Sequence, residues 1–127
     1  MHENEIARQI VDAAYKIHTT IGPGLLESAY EALLSHELGK RGLDVVCQQP
    51  MPLVYDGVQL DIGYRADMLV EDKVVVELKA TNNMLPVYAK QVLTYLRISD
   101  KRLGLLINFG MFRIKDGIKR VVNRLEE

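Results

Sequence analysis

At 127 residues, with 48% hydrophobic and 26% charged side chains and a formal net charge of −1, the chain has the make-up of one soluble domain that buries about two-thirds of its unfolded surface. No run approaches the ~18–20 consecutive apolar residues of a membrane span, so no membrane partner is expected. The polar, acidic start MHENEIARQ is unlike a signal peptide, and the lone Cys47 argues against an internal disulfide or a cysteine zinc site; together they predict a reducing, cytoplasmic setting.

In chain order, Ile6, Ile10, Ala13, Ala14, Ile17 and Ile21 recur at helical spacing and predict a helix over 3–21, with His18 near its end and Gly22-Pro23-Gly24 stopping it. A second helix is predicted over 25–40, its apolar residues Leu26, Tyr30, Leu33, Leu34 and Leu38. Glu27, Tyr30, Glu31 and Leu34 are spaced i, i+3, i+4 and i+7, which sets Glu27 at the border of the buried stripe. From Leu43 the period changes. Residues 43–48 read as a strand, Gln49-Pro50 as a break, and 51–55 as a second strand. Asp56-Gly57 is a hairpin turn, and the long strand that begins at Val58 is expected to kink or bulge at Gly63.

The stretch 64–80, YRADMLVEDKVVVELKA, is the centre of the chain. Two aliphatic runs separated by Glu71-Asp72-Lys73 predict a hairpin. Side chains alternate along a strand, so Val74, Val76, Leu78 and Ala80 form a core face, while Lys73, Val75, Glu77 and Lys79 share the other. Glu77 and Lys79 are then neighbours, with Cα atoms roughly 6.5–7 Å apart. A three-residue loop pairing Val70 with Val74 sets Asp67 opposite Glu77, whereas a two-residue loop would bury Asp67 in the apolar layer. An unpaired buried carboxylate costs several kcal/mol, so the first register is expected.

Beyond the hairpin, Pro86 suits the first turn of a helix over 86–99, with Leu85, Ala89, Val92, Leu93 and Leu96 as its core stripe and Gln91 and Tyr95 one turn apart on its flank. LGLLINF, 103–109, predicts a strand covered on both faces. Asp116-Gly117 marks a turn before a short strand or helix over 118–122. Charge is uneven: residues 1–83 carry 7 basic and 13 acidic groups (−6), and residues 84–127 carry 9 basic and 4 acidic groups (+5). A basic half beside an acidic site suits a metal-dependent enzyme acting on a polyanion; chance distribution over solvated faces explains it equally well.

Two helices, then antiparallel strands carrying D and E-x-K, then a helix carrying Q-x-x-x-Y, then a buried strand: this order resembles the PD-(D/E)XK nuclease superfamily. More narrowly the chain resembles the small GxxExxY proteins within it, through Gly24-Leu25-Leu26-Glu27-Ser28-Ala29-Tyr30, Tyr64 to Asp67, Val76 to Ala80, Gln91 to Tyr95 and Gly104 to Gly110. The proline that precedes the aspartate in the superfamily's name is Ala66 here. The resemblance implies an α/β, restriction-endonuclease-like core with a central mixed sheet flanked by helices. It implies a Mg²⁺- or Mn²⁺-dependent nuclease whose metal ligands are Asp67, Glu77 and Glu27. Lys79 acts on the attacking water, Gln91 and Tyr95 meet substrate or steady the site, and His18 is a candidate ligand. The implied partner is nucleic acid, DNA ahead of RNA.

Each residue also has a plainer reading. Glu77 and Lys79 could be a solvated ion pair, Glu27 a helix-capping acid, Gln91 and Tyr95 flanks of the core, and His18 a histidine satisfied at a helix C-terminus. The corresponding alternatives for the molecule are a non-catalytic nucleic-acid- or protein-binding regulatory domain that retains the nuclease fold, and a homo-oligomer joined through its sheet edge.

Overall fold

Helix α1 spans Glu3–Ile21. The Nδ1 of His2 accepts the Asn4 N–H at its start, and Gly22, at φ +83°, closes its end. In the computed structural model, which describes residues 1–126, α2 covers Glu27–Lys40 and α3 covers Pro86–Ser99. The second helix therefore begins two residues later than the apolar pattern predicts. Gly24, at φ +117°, turns the chain, and Leu26 is the extended residue before the first turn rather than part of the buried stripe; it is 79% exposed. Leu85 is likewise the extended residue before α3 and is exposed, so the core stripe of that helix is Val92 and Leu96, with Ala89 and Leu93 partly buried.

The strands are β1 (Val45–Tyr55), β2 (Val58–Val70), β3 (Val74–Lys79), β4 (Leu103–Asn108) and β5 (Ile118–Val122). They form one mixed sheet in the order β1-β2-β3-β4-β5, antiparallel except for the parallel pair β3–β4. Residues 43–55 do not divide at Gln49-Pro50 as expected: β1 runs through both prolines. It is an edge strand with one unpaired side, where a missing N–H costs no ladder bond. The irregularity falls instead between Met51 and Leu53, facing Gly63. A Cβ at Gly63 would collide with the Met51 carbonyl, so only glycine lets the two backbones come this close.

Alternation along the strands builds two cores, one on each face of the sheet. Ile6, Ile10, Tyr30 and Leu34 of α1 and α2 pack on Val74, Val76, Leu78, Leu105 and Ile107. On the other face Val92 and Leu96 of α3 pack on Leu69, Val75 and Leu106. The result is an α/β three-layer arrangement with β3 and β4 in the middle, every residue of β4 buried. Glu37, held by Lys16 at 3.1 Å and Arg41 at 3.2 Å, joins α1 to α2, and Arg41 also reaches Asp12 at 2.8 Å.

Candidate active site

The hairpin register fixes the site. Val70 pairs with Val74, Leu69 with Val75 and Met68 with Val76, and the loop between them is Glu71-Asp72-Lys73, with Glu71 and Asp72 left-handed at φ +54° and +55°. The next step of that register sets Asp67 opposite Glu77. There the β2–β3 ladder ends: β2 continues with β1, β3 continues with β4, and the two strands fork. Side chains take over the last bonds. The Leu78 N–H donates to Asp67 Oδ2 at 2.8 Å, and the Asp67 N–H donates to Glu77 Oε1 at 3.3 Å.

Lys79, two residues beyond Glu77, carries its Nζ over the Tyr88 ring of α3, 4.8 Å from the centroid. Glu27 enters from the first turn of α2. Its carboxyl pKa is raised by partial burial and by the Asp67 carboxylate, against a lowering pull from Lys79, so all three share one electrostatic neighbourhood. Glu77 is the most perturbed acid: burial and the Asp67 charge push it up to about 8. Burial beside a second carboxylate disfavours the charged form, and the pull of Lys79 offsets this only in part.

Tyr95 lies on the α3 side, its hydroxyl pKa raised by burial and then by Glu77 and Asp67. It stacks on Tyr64 with centroids 3.7 Å apart, and the Tyr64 hydroxyl donates to the Tyr95 carbonyl at 3.4 Å. Gln91 is exposed one turn earlier, and among the described residues no hydrogen bond joins it to the acids. His18 is buried near the end of α1, and its Nε2 donates to the Met111 carbonyl at 2.9 Å. Tyr30 is fully buried, stacked on Phe109 at 4.5 Å, and its hydroxyl donates to the Gly22 carbonyl at 2.6 Å while accepting the Leu25 N–H at 3.2 Å. In the stretch 24–30, then, the glycine makes the turn, the tyrosine anchors it and the glutamate is carried to the fork.

Two further residues take part, Gln48 outside every motif stretch and Asn108 within 104–110. Gln48 Nε2 donates to Glu31 Oε1 at 2.6 Å and to Asp67 Oδ1 at 3.4 Å, bridging α2 to the fork. It reaches both from a left-handed backbone at φ +54°, which strand alternation does not anticipate. Asn108 is fully buried at the end of β4. It accepts the Thr81 and Gly110 N–H groups, each at 3.0 Å, and donates to the Asn83 carbonyl at 3.0 Å, tying down the turn after Lys79.

Among the described residues no three His, Cys, Asp or Glu side chains are grouped so as to hold a metal ion. The close donors are the pair Asp67 and Glu77. Two hard carboxylates with their remaining coordination from solvent suit Mg²⁺ or Mn²⁺, and the repulsion between them is what a divalent cation relieves, so the pair fits such an ion. Clefts also lie elsewhere on the molecule. One of about 700 Å³, lined by Arg102, Arg124 and His2 among others, is at the end of the sheet where β4 begins, away from Lys79. No described helix is long and apolar enough to cross a membrane.

A family model described as the PD-(D/E)XK nuclease superfamily matches residues 4–121. No curated protein and no solved structure matches the chain.

Proposed function

The chain belongs to the PD-(D/E)XK nuclease superfamily, and from that membership we propose that it is a divalent-metal-dependent phosphodiesterase that cleaves nucleic acid, DNA ahead of RNA; the single cysteine supports a reducing, cytoplasmic setting for it. We assign it further to the GxxExxY proteins, on Gly24, Glu27 and Tyr30. The observation that carries the reading is the pair Asp67 and Glu77, coupled at a strand fork with Lys79 next along the same strand.

In this reading Asp67 and Glu77 would hold Mg²⁺ or Mn²⁺, with Glu27 the third candidate ligand. When bound, the ion supplies Lewis acidity toward the phosphoryl oxygens and offsets the charge that grows on them. Lys79 orients the attacking water and stabilises negative charge on the phosphate. The Tyr88 ring flanks the ammonium on one side, 4.8 Å away at its centroid. Gln91 and Tyr95 line the path of the substrate along α3.

The test compares purified wild type, Lys79→Ala and Glu77→Gln on single- and double-stranded DNA and RNA, with and without Mg²⁺ or Mn²⁺. Metal-dependent cleavage by the wild type is expected. Lys79→Ala should lose roughly 10²- to 10⁴-fold in turnover while still binding metal. A wild type that binds nucleic acid without metal-dependent cleavage indicates the regulatory domain instead. Equal activity in all three proteins indicates a contaminant and sinks the assignment.

A further inference from the structure

The loop that follows β4 presents an aromatic side chain to solvent. Phe112 is 88% exposed, more than any other large apolar side chain described. The loop around it is not loose. The Phe109 N–H donates to the Lys79 carbonyl at 2.9 Å, and Gly110 lies so close to Ala80 and Thr81 that no Cβ would fit. The Met111 carbonyl accepts from His18, and Ile114 is buried in the core at 5% exposure. Both ends of the loop are therefore fixed, and Phe112 is the part left outside. It stands three residues from Phe109, within about 10 Å of the residue bonded to Lys79.

The next residues supply the charge. Arg113 and Lys115 are both exposed on the same loop. Arg113 meets Asp116 at 3.1 Å, a solvent-exposed pair that a phosphate can displace at little cost. An exposed aromatic ring beside cations, on a loop bonded to the Lys79 backbone, has the parts of a single-strand platform: stacking is sequence-tolerant because every base has a π-face, and the cations track the backbone. Paired bases are covered by their neighbours, so such a ring gains contact only with a base out of the helical stack.

We propose that Phe112 is a base-stacking platform, with Arg113 and Lys115 holding the flanking phosphates, and that the site takes single-stranded or frayed nucleic acid. This rests on the nuclease reading and names its substrate class.

The chain contains no tryptophan, so Phe112→Trp introduces a single fluorophore at the platform. It is titrated, in EDTA to prevent turnover, with oligodeoxyuridylate, oligouridylate and a blunt DNA duplex, while anisotropy of labelled oligonucleotides reports binding by the wild type. Both single strands should quench the tryptophan at concentrations where the duplex does not, and the stronger of the two identifies the sugar preferred. Phe112→Ala should weaken single-strand binding roughly 5- to 100-fold, as for loss of one stacked base, and Phe112→Tyr should restore it. Tryptophan emission that does not move while an oligonucleotide binds overturns the proposal, as does wild-type affinity in Phe112→Ala. If Phe112→Ala instead converts a wild-type oligomer to monomer in sedimentation and binds as before, the ring is a protein contact and the proposal fails while the nuclease reading stands. Absence of both binding and cleavage in the wild type removes the nuclease reading and this one with it.

Discussion

Glu77 ties the stability of the protein to pH in a direction opposite to that of most carboxylates. Its pKa in the folded chain is about 8, against an ordinary value of 4.5. Between those values the unfolded chain has released the proton and the folded chain still holds it, so the unfolded state binds fewer protons and stability falls as pH rises. The loss is at most about 1.4 kcal/mol per pH unit across that window, and it levels off above it. Chemical denaturation of metal-free protein from pH 5 to 9 should show this fall; Glu77→Gln should flatten it, and Mg²⁺ at the alkaline end should reverse it. An unchanged slope in Glu77→Gln would place the titration elsewhere. Tyr88 offers a second test. If its ring holds the Lys79 ammonium, Tyr88→Leu should lower cleavage about 2- to 30-fold, while Tyr88→Phe keeps it. Asp67, Glu77 and Lys79 could be brought together from sequence because period-two alternation and the cost of a buried acid leave one register. Gln48 and Asn108 could not, since their contacts depend on where β1 and β4 stand beside the hairpin.

At the scale of elements, α3 is held against the sheet at one point of unusually close approach. A Cβ at Gly104 on β4 would run into the Val92 side chain, so the helix rests directly on the strand backbone. Gly104→Ala should push α3 outward and cost about 1–3 kcal/mol, read as a lower denaturation midpoint. Because α3 carries Tyr88, Gln91 and Tyr95, any cleavage activity should fall with it, even though residue 104 lies outside the fork. The bounds of α1 and α3 were legible from stripe and punctuation: Gly22 ends one helix and Pro86 begins the other. The three-residue loop and the bulge at Gly63 were legible for similar reasons. What misled was local chemistry read without its surroundings. Pro50 looks like a break until β1 is known to be an edge, and Leu26 and Leu85 look like core until the turns before their helices place them outside.

Across the whole molecule the basic half, +5 over residues 84–127, is less uniform than its sum suggests. Lys101 is paired with Asp72 at 3.3 Å, and Arg102 with Asp100 at 3.4 Å, at the end of the sheet where β4 begins. Arg113 and Lys115 follow the other end of β4, the end beside Lys79. Of the cations that sequence alone nominates for phosphate contacts, namely Arg97, Lys101, Arg102, Arg113, Lys115, Lys119 and Arg120, those on the Lys79 side should therefore dominate. Binding of a labelled oligonucleotide, measured against salt without divalent metal, should give a log–log slope of about −2 to −4. Each phosphate contact contributes roughly 0.7–0.9. Arg113→Ala and Lys115→Ala should each reduce that slope by nearly one contact. Lys101→Ala and Arg102→Ala should leave it unchanged, because both stand at the end of the sheet away from the fork. Equal loss from all four variants would mean that net charge, not placement, holds the polyanion. A slope near zero would mean that the acidic fork faces a protein partner, in which case the paired carboxylates would be the relic of a nuclease rather than its working centre.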